Sequence, residues 1–518
     1  MEEPIVELQQ GKLRGAVEDG IAVFKGVPYG ADTTGEGRFK APRPAEPWTG
    51  VRDALSFGPD APQLVPGHSA LKELFPSIIY DQSEDCLRLN VWTPAIGDGA
   101  KRPVMVWIHG GGFHYGSGVM HEAHRGGRLA KRGDVVVVTV NHRLNSLGYL
   151  YLADLFGPEF SDSGNAGMLD LVEALRWVRD NIEAFGGDPA NVTIFGQSGG
   201  GAKVSTLLAM PAAQGLFHRA VVQSGARLKG VLPDAATANA RDLLAELGVE
   251  SGDRQALLDL PARAIVDAVS SLSKKRGEVG AGGGGFGPVV DGANLPTHPW
   301  GGTAPEFSKQ VPVMVGTTRD ELTYQLVMHP DFDGLDEAGL RRKLTAQIGS
   351  RPDRFGAISP EQIEHLIDAY RSTRPNDRPQ DLLVALASDG TRLASIRLAE
   401  QRAAQPGAAP VYMYLFRWES PGLNGTLKST HTLEIPFVFD NLEVSNDYVG
   451  PRPERETLME QMSGAWLAFA RTGNPDHEGL PHWPAYDETT RATMIFDAVS
   501  EVENDPASSD RTAWDVLI

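Results

Sequence analysis

Val192-Thr-Ile-Phe-Gly196-Gln197-Ser198-Gly199-Gly200-Gly201-Ala202-Lys203 is the stretch on which the reading of this chain turns. Residues that favour extended backbone, Val192 to Phe195, run straight into Gly-Gln-Ser-Gly-Gly. An apolar, helix-compatible segment, Val204 to Met210, follows. That is strand, sharp turn and helix, with a serine at the apex: the Gly-x-Ser-x-Gly nucleophile elbow. The glycines are required because the turn is too tight for side chains on either side of the serine. Such a turn lifts Oγ of Ser198 above the sheet and aims the N-terminus of the next helix at it. Five residues alone also make an ordinary Gly/Ser turn, so the flanking chain has to decide between the two.

Upstream, Leu171, Ala174, Leu175, Val178, Ile182 and Phe185 recur at three- and four-residue steps, which predicts a helix over Met168 to Phe185, stopped by Gly186-Gly187. Val135 to Val140 before it reads as a buried strand. Strand, helix and elbow strand then form a right-handed crossover. Pro103 to His109 is another apolar run of parallel-strand type, and it empties into Gly110-Gly111-Gly112-Phe113. Three glycines leave backbone N–H groups unshielded, as an oxyanion hole requires. Lipases and esterases build theirs from such a loop upstream of the elbow. Nearer the start, Ile5 to Leu13 and Ile21 to Phe24 predict an N-terminal hairpin, and Phe39 to Trp48 an ordered surface crossing. Leu87, Leu89 and Val91 alternate as a strand, with Glu84 and Asp85 before it as caps or ion-pair partners.

Downstream, Phe217 to Val222 reads as a strand ending at Gln223-Ser224-Gly225, where Ser224 is either a supporting hydroxyl or part of a strand-end turn. Pro233 to Lys275 is helical in pattern. Gly277 to Gly287 reads as a mobile loop; it is no phosphate loop, since no Gly-Lys-Ser/Thr follows. Pro288 to Gly292, Pro312 to Gly316 and Val411 to Phe416 are strand-like, and Thr457 to Ala470 is a late amphipathic helix. Residues from about 326 to 405 read as helices and loops inserted over the sheet.

The chain of 518 residues is 41% hydrophobic and 22% charged, an ordinary globular composition with ample material for a large core. A formal net charge of −19 sets nucleic-acid binding aside. The single cysteine, Cys86, excludes an intrachain disulfide. The start Met-Glu-Glu-Pro-Ile-Val-Glu has neither a basic nor an apolar leader segment. A cytoplasmic location is therefore expected, with no membrane span. No cofactor or metal is expected. His-Glu-x-x-His is absent, and His121 and His124 lack a third ligand and read as surface polar residues.

A serine hydroxyl needs a base within hydrogen-bond reach, and the base needs an acid to fix its tautomer. In α/β hydrolases the chain order is serine, acid, histidine. Six histidines follow Ser198 beyond His218: His298, His329, His365, His431, His477 and His482. His431 lies in a loop after the late strand and before an apolar run, where such bases sit. Asp320 and Glu321 both follow the strand at Val313, and chain order alone does not choose between them.

The motifs together resemble the type-B carboxylesterase family, whose members include bacterial para-nitrobenzyl esterases. The likeness runs through Phe24-Lys-Gly-Val-Pro-Tyr, Glu84-Asp-Cys-Leu, His109-Gly-Gly-Gly-Phe, Gly164-Asn-Ala-Gly-Met-Leu-Asp, the elbow, Arg319-Asp-Glu, and His431 with Glu434-Ile-Pro-Phe-Val-Phe. The resemblance implies a single α/β-hydrolase domain over 1–518, a mostly parallel sheet flanked by helices, with helical insertions over the active site. It implies Ser198 as nucleophile, His431 as base and Glu321 as acid, with Asp320 beside it in a supporting role. It also implies backbone N–H donors from Gly111, Gly112 and Gly199. The implied activity is hydrolysis of small-molecule carboxylic esters through an acyl-enzyme. Gln197 stands where the family has glutamate, Gly199 where it has alanine and Arg88 where it has Tyr or Thr. Cys86 matches a cysteine that secreted relatives pair. The same machinery acting on an amide or carbamate is the alternative. A non-catalytic binding member would lack one of the three residues. Oligomeric state is not encoded in these motifs.

Overall fold

The computed structural model describes residues 3–64, 73–276, 285–327, 331–349 and 358–517. The strands, in chain order, are β1 (Ile5–Leu8), β2 (Gly11–Arg14), β3 (Ala16–Glu18), β4 (Ile21–Pro28), β5 (Val51–Asp53), β6 (Arg88–Thr93), β7 (Arg102–Ile108), β8 (Val136–Val140), β9 (Gly187–Gln197), β10 (Arg219–Gln223), β11 (Val313–Thr318), β12 (Val411–Phe416), β13 (Ala492–Phe496) and β14 (Glu501–Asn504). Eleven of them form one sheet in the order β14-β13-β12-β11-β10-β9-β7-β8-β6-β4-β3. From β8 through β13 every pairing is parallel; the antiparallel pairings lie at the two flanks.

The apolar runs explain the parallel centre. Side chains alternate across a strand, so a strand covered on both faces must be apolar at every position. In β7, Val104, Val106 and Ile108 enter the core on one face, and Met105 and Trp107 enter the core on the other. β8 and the residue before it divide the same way, with Val136, Val138 and Val140 against Val135 and Val137. Helices fill both layers. Those before the sheet's midpoint and after it are α1 (Ala166–Asn181), α2 (Gly199–Leu207), α3 (Pro233–Leu247), α4 (Arg254–Asp259) and α5 (Ala262–Lys275). Helix α1 ends in a 3-10 turn, Ile182–Phe185, closed by Gly186 in the left-handed region at φ 76°.

Between β11 and β12 come α6 (Glu337–Gly349), α7 (Pro360–Thr373) and α8 (Pro379–Ala403). They share their own apolar cluster, in which Leu340, Leu344, Ile363, Leu366, Leu382 and Leu386 meet Trp514 from the far end of the chain. Helix α9 (Arg455–Thr472) covers the opposite face. Among the described residues no helix is long and apolar enough to cross a membrane.

Three expectations need correction, and two strands are added. The N-terminal strands make two hairpins rather than one. β1 and β2 join β5 in a separate three-stranded sheet, whereas Ile21 to Phe24 belongs to β4, an antiparallel member of the main sheet. Pro288 to Gly292 contributes only an isolated bridge, Val231 to Val289, because the side-chain amide of Asn165 occupies both the N–H and the carbonyl of Val289. Two strands that the sequence pattern does not mark, β13 and β14, extend the sheet beyond β12. His121 and His124 are buried, not on the surface. The His121 ring stacks on Phe75 at 4.1 Å and its Nδ1 meets the Pro76 carbonyl, while His124 packs on Trp107 at 5.1 Å. Burial pushes both imidazoles towards the neutral form, so they behave as aromatic core residues. Most of the glycine-dense stretch (277–284) lies outside the described residues, as does His329.

Candidate active site

The C-terminal ends of β7, β9, β10, β11 and β12 open on one edge of the sheet, where crevices in parallel folds bind their ligands. Register brings the ends level: Ile108 is opposite Gly196, and Gln223 is opposite both Gln197 and Gly316. Ser198 follows β9 directly. Its backbone sits at φ 58° and ψ −121°, a region L-residues avoid, and persists only where the surroundings impose it. They do so by hydrogen bonds and by contact. Ser198 donates its N–H to the Gln223 carbonyl at 2.8 Å, and the Ser198 carbonyl accepts from Ala202 at 3.0 Å. A Cβ on Gly200 would lie 2.0 Å from the Ile108 carbonyl oxygen, and one on Gly199 would lie 2.2 Å from that of Gly112. The glycines after the serine thus allow α2 to start hard against β7 and the loop that leaves it.

That loop, His109 to Gly116, is held from several sides. The Gly111 carbonyl accepts from His114 and Tyr115, each at 3.2 Å; Asn145 donates its N–H to the Phe113 carbonyl at 2.7 Å. Gly111 and Gly112 both have positive φ, 83° and 64°. The Nζ of Lys203 donates to the carbonyls of His109 and Gly112 at 3.1 and 2.9 Å.

Glu321 lies just past β11, and His431 lies in the segment after β12. Glu321 meets Nδ1 of His431 through Oε2 in a short contact and accepts the Thr318 N–H through Oε1 at 2.9 Å. The carboxylate is fully buried. Asp320 does something different. Its backbone bridges to Thr430, its carboxylate accepts the Ser429 N–H at 3.2 Å, and Arg319 neutralises it. Of the adjacent pair, then, Glu321 touches the imidazole and Asp320 holds the backbone that carries it.

The other face of His431 is also defined. Gln197 Nε2 lies 3.3 Å from Nδ1 and 3.2 Å from Nε2, so the residue immediately before Ser198 rests against the ring. Tyr324 stacks on the imidazole at 5.6 Å, and the Tyr448 hydroxyl donates to the His431 carbonyl at 2.7 Å. Ser224 has φ 50° and donates its N–H to the Gly316 carbonyl; its buried hydroxyl makes no hydrogen bond among the described residues. Its turn at the end of β10 accounts for its place. His298 and His365 are not part of this cluster; His298 Nδ1 accepts from Gly230 N–H, and His365 lies in α7. Among the described residues no group of three metal-ligating side chains occurs.

Glu434, three residues past His431, enters the sequence pattern only as part of a shared motif, with no role assigned to it. It is fully buried, and Oε1 accepts from Gln223 Nε2 at 3.3 Å, whose Oε1 in turn accepts from Trp466. Burial, and then the Glu321 charge, push its carboxyl from 4.5 up to about 7. The folded chain therefore keeps this proton to about pH 7, whereas an unfolded glutamate releases it near 4.5. The stability this group contributes is complete below about 4.5 and is lost as pH rises through 7. Glu434→Gln should therefore gain about 3 kcal/mol on the parent chain between pH 4 and 8. Urea melts across that range check it; parallel pH profiles for the two chains would refute it.

A strained serine at a strand–helix elbow, a glycine loop beside it, and a carboxylate–imidazole pair from later strands together describe an α/β hydrolase. The sequence comparison narrows this: the chain belongs to the carboxylesterase family, which it matches over residues 2–514, and it is a carboxylic ester hydrolase. It is 38% identical to the para-nitrobenzyl esterase of Bacillus subtilis (strain 168), across 99% of this chain and 98% of that protein. It is 35% identical to the phenmedipham hydrolase of Pseudarthrobacter oxydans, across 98% of each. Among solved structures, a Geobacillus stearothermophilus carboxylesterase at pH 6.2 superposes with a TM-score of 0.83 at 41% identity, covering 98% of this chain and 99% of that one.

Proposed function

We propose that the chain is a serine esterase in which Ser198 is the nucleophile, His431 the general base and Glu321 the acid. The observation that carries this reading is the His431 ring: Glu321 engages its Nδ1, and the side chain next to Ser198 lies against it. In the reaction, Oγ of Ser198 attacks the ester carbonyl carbon while His431 takes the hydroxyl proton. Glu321, buried and held by the Thr318 N–H, fixes the tautomer and stabilises the imidazolium. The N–H groups of Gly111, Gly112 and Gly199 hold the tetrahedral oxyanion. The intermediate collapses, the ester C–O bond breaks, and the imidazolium gives its proton to the departing alcohol. Water, deprotonated by His431, then attacks the acyl-enzyme; the carboxylic acid leaves and Ser198 recovers its proton.

Gln197 is neutral where the family carries glutamate. No fixed anion therefore adjoins the nucleophile on that side, and the reading favours uncharged esters over cationic ones. The chain acts as one hydrolase domain over 1–518, with the helices from about 326 to 405 as an insertion. Its partner is a small-molecule ester, without metal or organic cofactor. The lone buried thiol of Cys86, with no second cysteine to pair with, supports a reducing, cytoplasmic setting.

Two assays test the reading. A fluorophosphonate should label the peptide bearing Ser198, and excess ester should protect it; a label on any other serine overturns the assignment. On p-nitrobenzyl or p-nitrophenyl butyrate and the matched anilide, kcat/KM should favour the ester by at least ~10²-fold. Equal turnover would reassign the chain to amide hydrolysis.

A further inference from the structure

Lys203 is a cation in the wrong place for one. It lies in the second turn of α2, completely buried, with no ion-pair partner among the described residues. The ordinary occupant of such a site is an aliphatic side chain, since an unpaired buried charge is strongly unfavourable. Burial alone brings the proton affinity of this amine down, from 10.5 to about 7. What the amine finds instead of a carboxylate is backbone. It donates to the carbonyls of His109 and Gly112, at 3.1 and 2.9 Å, and lies 5.5 Å from the centre of the Phe113 ring.

Those two carbonyls bracket the Gly110–Gly111 turn. Three consecutive glycines cannot hold one conformation by their own sterics, because glycine populates both signs of φ. The loop must therefore be fixed from outside. Lys203 is also four residues past Gly199, so the two share one face of α2. Gly199 lets the Gly112 backbone approach that face, and Lys203 then binds the Gly112 carbonyl. Helix α2 begins at the elbow, so a tie from α2 joins the nucleophile and the glycine loop in one rigid unit.

We propose that Lys203 is a positioning residue of the oxyanion loop: by gripping the carbonyls of His109 and Gly112 it fixes the peptide units on either side of those that carry the Gly111 and Gly112 N–H groups, and so holds that pair in place. This rests on the Ser198 reading above. A donor displaced from the oxyanion weakens the transition state and leaves substrate binding nearly untouched, so the effect falls on kcat rather than KM.

The test is Lys203→Met, of similar length and without donors, and Lys203→Gln, which keeps one shorter donor. Active sites are counted by fluorophosphonate titration to completion. Per active site, Lys203→Met should lose about 10²-fold in kcat with KM within about threefold of the parent. Affinity for a trifluoromethyl ketone, which adds the serine to form an oxyanion, should fall by a similar factor. Lys203→Gln should fall between the two on both readouts. A role in folding alone would lower the number of active sites but not kcat per site. Parent-like kcat per site and ketone affinity in Lys203→Met overturn the proposal. Should that variant not fold, the same parent-like values in Lys203→Gln overturn it. Ser198→Ala in the same series separates the two levels. If it keeps activity, the nucleophile assignment fails; if it is inactive while the Lys203 variants match the parent, only this inference fails.

Discussion

Ser198→Ala should lower kcat on p-nitrophenyl butyrate by ~10⁴-fold or more while the thermal midpoint stays close to that of the parent. The first half follows from the chemistry. With Oγ gone, no acyl-enzyme forms, and only the glycine N–H groups and substrate binding remain to assist attack by water. The second half follows from the backbone. Ser198 sits at φ 58° because the Gln223 carbonyl and the contacts of Gly199 and Gly200 impose it, and alanine pays the same conformational cost as serine there. Activity lost through a softened fold would instead appear as a lowered midpoint. Steady-state kinetics and a thermal melt on one preparation check both halves. Substantial residual turnover, inhibitable by the fluorophosphonate, would place the nucleophile elsewhere.

Asp170→Ala should destabilise the fold by about 3–5 kcal/mol. Asp170 lies in α1 and Arg143 lies just past β8, and both are fully buried. The carboxylate accepts from Arg143 Nε at 2.9 Å, from Nη2 at 2.6 Å and from the Arg143 backbone N–H at 2.9 Å. Removing it leaves a guanidinium sealed in the core with most of its donors idle, far costlier than losing a surface pair. The site would feel it as well. The segment that starts at Arg143 includes Asn145, whose N–H holds the Phe113 carbonyl at the end of the glycine loop. Urea unfolding should show the lost stability. The exposed pair Arg263–Asp267 is the control, and Asp267→Ala should cost less than about 1 kcal/mol. A parent-like midpoint in Asp170→Ala would show that this pair is not a support of the fold.

Much of this architecture was legible because it depends on local pattern. Continuous apolar runs mark β7 and β8, since strands covered on both faces need no polar side. The Met168 to Phe185 periodicity marks α1 to within two residues at its start. The elbow, the glycine loop and the order of serine, acid and histidine pointed to the edge of the sheet where the candidate site lies. What stayed hidden depends on neighbours distant in sequence. Asp320 and Glu321 are equivalent in chain order, and only the packed chain shows that Glu321, not Asp320, reaches an imidazole. Asn165 intercepts the backbone groups of Val289 that a strand would have used. His121 and His124 look polar until Phe75 and Trp107 are brought against them. Lys203 and Glu434 would each be read as solvated charges from composition alone; only the packed structure reveals an amine and an acid buried at the candidate site.

Cys86 has a practical consequence. It is the only thiol in the chain, it is completely buried, and burial pushes its ionisation well above the ordinary range. Thiol-directed reagents attack the ionised, accessible form, so the folded protein is silent towards them. A cysteine placed at Val499, which is 77% exposed, thus becomes a unique handle for a dye, a spin label or a solid support, with no native residue to remove first.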